Sequence, residues 1–495
     1  MARLYNDNAP RLTIRVYNII YKDGREAVLI LCVMGIKKTC TFAALFITNV
    51  IKSRMSERNF TSRLFCGWIR FINHFYHPHS YRFGLENIPK DGNSVVMVGN
   101  HQNCMMDPVN VEVALKDRKP YCLVRGDVFR VNKYFTEFLY WLGLLPVNRM
   151  NFEGLNGTSN AKEANKATLS VAINYLADGN TLILFPEGGH QNKRYLGYFS
   201  LVYLQLAFHA AEQNNFEKEV YVMPFGHHYA NYHHPLYDFV LRYGTPIPLS
   251  PYYERYKEKP RTTTREVNVL VEKQISDLML NITDLDHYTA IDGLRQGPEG
   301  YRYARKHGFN PDNLSEKLLA DKQLASELSD PAKKPALDKL QAVETEILEK
   351  GMRDWVLDKQ PGTANLILRC LALLILLPLF LVSLAFTWPV VFIPRLMYHK
   401  KINGAEDEMF RSTWNFGFAG LVTLPLLWVL PTIIMLFIKP LWAIGYFVAY
   451  PIMTYIVLKY CKLFGKTCGV WRFVTEKDSK RMVKERKEAI DELGI

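Results

Sequence analysis

The sequence lacks the patterns that mark disulfide-stapled, zinc-bound or nucleic-acid-binding proteins. Its eight cysteines contain no CxxC pair and follow no framework spacing, which excludes a disulfide scaffold and fits reduced thiols in a cytosol-facing protein. No HExxH occurs, and neither a zinc-finger spacing nor a Lys/Arg recognition helix is present. The N-terminal apolar runs, 27–36 and 39–51, are separated by Lys37 and Lys38. Neither reaches the roughly 20 residues a bilayer crossing needs. No small-residue cleavage site follows them, so a signal peptide is not expected. Residues 1–80 are expected to be helical, with an amphipathic membrane-surface segment.

What is present is a strong positive balance, net charge +13 over 495 residues. In the absence of a nucleic-acid module, its natural partners are membrane phosphate and a phosphorylated substrate. From about residue 81 to 249 short β-branched runs alternate with helical stretches, the pattern of a mostly parallel sheet with crossover helices. Strands are expected over 94–99, 121–124, 181–185, 220–225 and 239–243. Helices are expected over 108–115, 132–142, 159–177, 201–212 and 262–279, the first opening with Asp107 at its N-cap and Pro108 at its first position.

Residues 286–360 are charged and broken by Pro298, Pro311, Pro331 and Pro335, which reads as a bridge of short helices. The composition then changes. The stretches 370–394, 412–438 and 440–458 contain no charged residue and meet the length rule for membrane helices, with Trp388, Trp414, Trp428, Trp442, Tyr398 and Tyr460 at or near their ends. The basic segment after Lys459 favours the cytoplasm, so either one stretch is a re-entrant hairpin or the N-terminal segment adds a crossing. The expected domains are thus 1–80, a catalytic domain over 81–285, the bridge over 286–360, transmembrane helices over 361–460 and a basic cytoplasmic tail over 461–495. The fold class is α/β, a mostly parallel sheet with flanking helices, followed by a C-terminal α-helical transmembrane region.

Four constellations carry chemistry. His101 and Asp107 follow the strand ending at Gly99. Six positions on one straight helix would leave their side chains about 120° apart, so they meet only if the chain bends between them. Met, the carboxylate would set the tautomer of His101 and leave its other nitrogen to take a proton from an alcohol. An ordinary loop histidine beside a helix cap is an equal reading of these residues alone. Next, Gly143-Leu144-Leu145-Pro146-Val147-Asn148-Arg149 ends an apolar run on an arginine suited to forked phosphate binding, or to a solvated surface. Phe185-Pro186-Glu187-Gly188-Gly189 turns sharply at the sheet edge where open α/β sheets place ligands, although such a turn is more often only a turn. Finally, 220–226 is a strand ending in Pro224 and Gly226.

Together, in this order from Asn100 to Gly226, the four blocks resemble the glycerol-phosphate acyltransferase family, which includes glycerol-3-phosphate and 1-acylglycerol-3-phosphate acyltransferases. The gap between His101 and Asp107 is one residue longer than the family's common pattern, Pro146 replaces a large apolar residue, and the Pro-Glu-Gly block continues Gly189-His190-Gln191-Asn192 rather than Thr-Arg-Ser. The first and last departures resemble the fungal-type glycerol-3-phosphate/dihydroxyacetone-phosphate branch. The resemblance implies acyl transfer in phospholipid synthesis. The donor would be acyl-CoA or acyl carrier protein, and the acceptor glycerol 3-phosphate or lysophosphatidate; no cofactor, metal or nucleic acid takes part. It implies His101 as general base, Asp107 as its orienting partner, and Arg149 on the acceptor phosphate with Lys193 and Arg194 as helpers. Glu187, Gly188 and Gly189 would shape the acceptor site.

Lysophospholipid remodelling uses the same blocks and remains a second reading. From another class, His190, His227, His228, His233 and His234 suggest a metal-binding protein, although adjacent histidines point apart. A non-catalytic lipid-binding membrane protein is the third reading. The implied location is an integral membrane protein with its catalytic domain toward the cytoplasm.

Overall fold

The structure is a computed structural model that describes residues 14–20, 26–32, 60–90, 92–115, 118–130, 132–147, 159–189, 193–401 and 410–495. The chain divides into two compact units, Met1–Glu57 with Tyr121–Tyr175, and Arg58–Pro120 with Leu176–Ile495.

In chain order the elements begin with strands β1 (Ile14–Ile20) and β2 (Glu26–Cys32), helix α1 (Phe60–Tyr76), β3 (Ser80–Phe83), β4 (Ser94–Gly99), α2 (Met106–Ala114) and β5 (Tyr121–Arg125). They continue with α3 (Lys133–Trp141), β6 (Leu144–Val147), α4 (Ser159–Ala177), β7 (Thr181–Leu184), α5 (Val202–Gln213), β8 (Val220–Tyr229), β9 (Phe239–Tyr243), β10 (Ile247–Pro248), α6 (Tyr253–Glu258) and α7 (Pro260–Leu278).

In the first unit β1 and β2 pair antiparallel, and β5 and β6 pair in parallel. The N-terminal region therefore differs from the helical expectation at 14–20 and 26–32. Its residues there are β-branched and apolar around Lys22-Asp23-Gly24, a turn-forming sequence that favours a hairpin over a helix. Residues 60–76 form the helix α1, while residues 33–36 of the first apolar run and all of the second, 39–51, lie outside the described residues.

In the second unit β4 is central, parallel to β7 on one side and to β8 on the other. Beyond β8 run antiparallel β9 and then β3, parallel to β9, while β10 adds antiparallel to β8. Val95, Val96, Met97 and Val98 are wholly buried, which explains why β4 reads as a continuous apolar run rather than an alternating one. Gly99 ends it of necessity. It lies opposite Phe225, and a Cβ there would stand 2.0 Å from the Phe225 ring.

The bridge comprises α8 (Tyr288–Gln296), α9 (Pro298–Lys306), α10 (Leu314–Leu328), α11 (Lys334–Glu349) and α12 (Asp354–Lys359). Three long apolar helical segments follow, Thr363–Met397, Phe410–Ile438 and Pro440–Thr475, each long and apolar enough to cross a membrane. The first lies in α13 (Thr363–Lys401). The second comprises α14 (Phe410–Phe418), two π-helical turns and α15 (Leu430–Ile438), and the third is α16 (Pro440–Thr475).

Only Lys439 separates the second and third, which fold back on each other through Trp428 Nε1 donating to Phe447 O at 2.9 Å. The second starts on the loops of the sheet around β4, where Met105 N donates to Thr413 Oγ1 at 3.3 Å. The third returns to them, with the Lys462 ammonium 4.5 Å from the Tyr237 ring centroid. Both feet of this hairpin thus stand on the same unit.

Residues 479–493, read from composition as part of a basic tail, form α17 (Ser479–Leu493) and pack against α11. Met482, Ala489 and Leu493 are buried there, and Arg486 is sunk among three carboxylates. It donates to Glu299 at 2.7 Å and Glu344 at 2.8 Å, with Asp354 3.9 Å away. Removing one partner of a buried ion cluster leaves the others uncompensated. Arg486→Ala is therefore expected to cost about 3–5 kcal/mol. The check is the thermal melt of the solubilised full chain, accompanied by earlier proteolytic release of the segment that carries α17.

Candidate active site

The site is built where β4 ends. Asn100 locks this end to β8 by donating from Nδ2 to His227 O at 3.1 Å and accepting from His227 N at 2.7 Å. The chain then bends, with Cys104 in the left-handed region at φ 45, and enters α2. The helix starts earlier than expected. Met106 N already donates to Asn103 O at 2.9 Å, so Asp107 sits inside the first turn rather than at the N-cap. Its carboxylate points back along the chain instead of capping.

That carboxylate is wholly buried and well supplied with donors. Oδ2 accepts from His101 Nδ1 at 2.9 Å and from Gln102 N and Asn103 N, each at 2.8 Å. Oδ1 accepts from Tyr229 Oη at 2.7 Å, and the His227 ring lies 4.0 Å away. Burial pushes the Asp107 pKa up, but His227, the hydrogen bond from His101 and the Asn103 N–H outweigh it and hold the carboxyl below its usual range. His101 itself is 16% exposed, its ring stacked on Phe185 at 4.3 Å.

Glu187 follows β7 in the Pro-Glu-Gly-Gly turn, with Gly188 at φ 65, a conformation that favours glycine. Its side chain braces the loop. Oε1 accepts from His101 N at 2.8 Å and Oε2 from Gly197 N at 3.0 Å. Burial raises its pKa to about 7 against these two donors.

Arg194 is 4% exposed and already engaged. Its Nη1 donates to Tyr232 Oη at 2.8 Å, its Nε lies 3.4 Å from Asp292, and Tyr232 Oη in turn donates to Gln102 Oε1 at 2.9 Å. The Lys193 ammonium stands 5.1 Å from the Tyr288 ring centroid. Arg149 and His190 lie outside the described residues. The structure thus brings His101, Asp107 and Glu187 into one network, reaches Arg194 through Gln102 and Tyr232, and leaves Gly188 and Gly189 at the turn.

Sequence reasoning missed Tyr229. It ends the strand at 225, whereas β8 runs on to Tyr229, pairing antiparallel with β9 and burying that ring completely. Its hydroxyl also accepts from Asn110 Nδ2 at 2.9 Å, held by Asn73 Nδ2 on Asn110 Oδ1 at 3.0 Å. The available signal was continued pairing: Phe239 to Tyr243 supply enough strand to extend the ladder. Strand alternation sends His227 toward Asp107 and His228 toward Arg194 and Arg295, whose charges, after burial itself, hold the His228 pKa well below normal. Among the described residues no group of three or more His, Cys, Asp or Glu is arranged to hold a metal.

Tyr229→Phe removes one donor from a buried carboxylate, worth about 1–3 kcal/mol. The expected outcome is a lower kcat with KM little changed and an acid limb moved to higher pH, read from a pH–rate profile. For Glu187, the folded pKa near 7 lies above the ordinary value of 4.5, so its contribution to stability falls as pH rises between them. Protonation, as pH drops through about 7, takes an acceptor from one of the two N–H groups and loosens His101. Activity should therefore fall on the acid side, and Glu187→Gln should be low and flat between about pH 6 and 8.

No curated protein matches the chain. A solved structure, the 1-acyl-sn-glycerophosphate acyltransferase PlsC of Thermotoga maritima, aligns with 18% identity over 48% of this chain and 88% of its own, at a TM-score of 0.31. Residues 82–228 match the family model described as acyltransferase, a span that holds His101, Asp107 and Glu187. The chain therefore carries an acyltransferase domain over these residues and is an acyltransferase.

Proposed function

We propose that this enzyme moves a fatty acyl group from acyl-CoA or acyl carrier protein to the hydroxyl of glycerol 3-phosphate or 1-acylglycerol 3-phosphate. The observation that carries the mechanism is the 2.9 Å contact between His101 Nδ1 and Asp107 Oδ2 across the bend. With Asp107 ionised, Nδ1 holds the proton and Nε2 the lone pair. Nε2 takes the acceptor's hydroxyl proton as the oxygen attacks the thioester carbonyl; the tetrahedral intermediate then collapses, the C–S bond breaks, and the proton passes to the leaving thiolate. The thioester is already activated, so no protein nucleophile is required, and Cys104 serves packing.

Arg149 and Lys193 are assigned to the acceptor phosphate. Arg194 acts at one remove, bracing Gln102 through Tyr232, because its guanidinium is already paired with Asp292. Gly188 and Gly189 border the acceptor, and Glu187 fixes the His101 backbone. The catalytic unit is assigned to the cytoplasmic face of the membrane that holds the apolar helices.

The test is a panel of acceptors (glycerol 3-phosphate, dihydroxyacetone phosphate, 1-acylglycerol 3-phosphate and other lysophospholipids) offered with one acyl-CoA to the full chain, with products read by mass spectrometry. Acylation of a glycerol phosphate is expected. His101→Ala is expected to lower it by about 10²–10⁴-fold. Equal incorporation by both proteins would remove the mechanism, and acylation of lysophospholipids alone would make the enzyme a remodelling acyltransferase.

A further inference from the structure

Five cations outside the acyl-transfer site gather where α12, α13 and α16 meet. Lys359 closes α12, Arg369 lies near the start of α13, and Lys459, Lys462 and Lys466 are spaced to share one face of α16. The Arg369 guanidinium and the Lys466 ammonium stand 5.7 and 5.9 Å from the centroid of the same ring, Trp355. The charged groups that act most on Lys466 are all positive: Lys462, Arg369, Lys359 and Lys459. Of the carboxylates that flank these cations in sequence, Asp358 is engaged by Arg302 and Glu476 by Lys350. Among the described residues none of the five cations joins an ion pair with them. Leu368, Phe464 and Trp471 are exposed on the same two helices, α13 and α16.

We propose that this patch binds the phosphate headgroup of an anionic phospholipid. The inference goes beyond the acyl-transfer reading and rests only on α13 and α16 lying in a bilayer. Like charges that repel one another, with no counter-ion among the described residues, are stabilised by an anion from outside. Basic clusters beside membrane helices attract anionic headgroups, and long Lys and Arg stems extend from apolar surroundings to the interface. A mere orientation signal would need only the number of positive residues near the helix ends. Here cations from two helices, Arg369 and Lys466, converge on an indole carried by a third, which is a built site for a headgroup.

The test uses the full chain, purified in neutral detergent and titrated with dioleoylphosphatidylglycerol or dioleoylphosphatidylcholine, with bound lipid counted by native mass spectrometry. Phosphatidylglycerol is neither donor nor acceptor in the proposed reaction, so binding is read without acyl transfer and each reading can fail alone. Wild type is expected to prefer phosphatidylglycerol by about tenfold or more, with the preference declining in high salt. Arg369→Gln/Lys466→Gln should lose it while retaining acyl transfer in neutral micelles. No preference in wild type, or the same preference in a folded double variant, would overturn the proposal. So would complete displacement by millimolar inorganic phosphate, which would make the ligand a free anion. The wild-type comparison decides the matter by itself if the double variant does not fold.

Discussion

The carboxylate of Asp107 is the constraint on which the loop between β4 and α2 depends. A buried anion is costly unless donors surround it, and this one takes three at one oxygen and one at the other. Two are backbone N–H groups of the bend, which would otherwise be orphaned where β4 ends. A third is the imidazole of His101, and the fourth comes from Tyr229 on the neighbouring strand. One side chain thus closes the bend, sets the histidine tautomer and ties α2 to β8. The local fold and the proposed chemistry rely on the same charge.

Each residue of the loop is then held from a different direction. Glu187 takes the backbone N–H of His101 from the Pro-Glu-Gly-Gly turn. Tyr232, itself held by Arg194 and through it by Asp292 of the bridge, takes Gln102. Ser412 at the foot of the second apolar segment hydrogen-bonds Asn103, and Thr413 accepts from Met105. The loop is therefore a meeting point of sheet, bridge and apolar hairpin. Preorganisation of this kind would keep the proposed general base, His101, in one geometry without reorganisation at the moment of proton transfer.

The apolar helices are joined to this framework rather than tethered to it. Phe416 packs with Ile72, Tyr76 and Met106, and Trp68 Nε1 donates to Gly420 O at 2.9 Å, so α1, α2 and the second apolar segment share one small core. At the other end of the chain α17 returns to the bridge through Arg486. Two distant parts of the sequence are thereby clasped to the bridge and the sheet by side chains of opposite character, aromatic in one case and ionic in the other.

Much of this was legible in the residues themselves. The fully apolar run of β4, the apolar strand before Pro186 and the uncharged stretches after Cys370 declare themselves because burial on both faces, or in lipid, leaves no place for a charge. The pairing of His101 with Asp107 was also foreseeable, since a strand end, a bend and a helix start are local features. What the tertiary structure alone decided is where polar side chains spend their hydrogen bonds. Asp107 turned back instead of capping, Glu187 met a backbone N–H, Arg194 was taken up by Asp292 and Tyr232, and Tyr229 became a donor to the central carboxylate. Periodicity reports only how often a residue faces the core; a polar partner far along the chain leaves no trace in local pattern, because it is chosen by packing between elements.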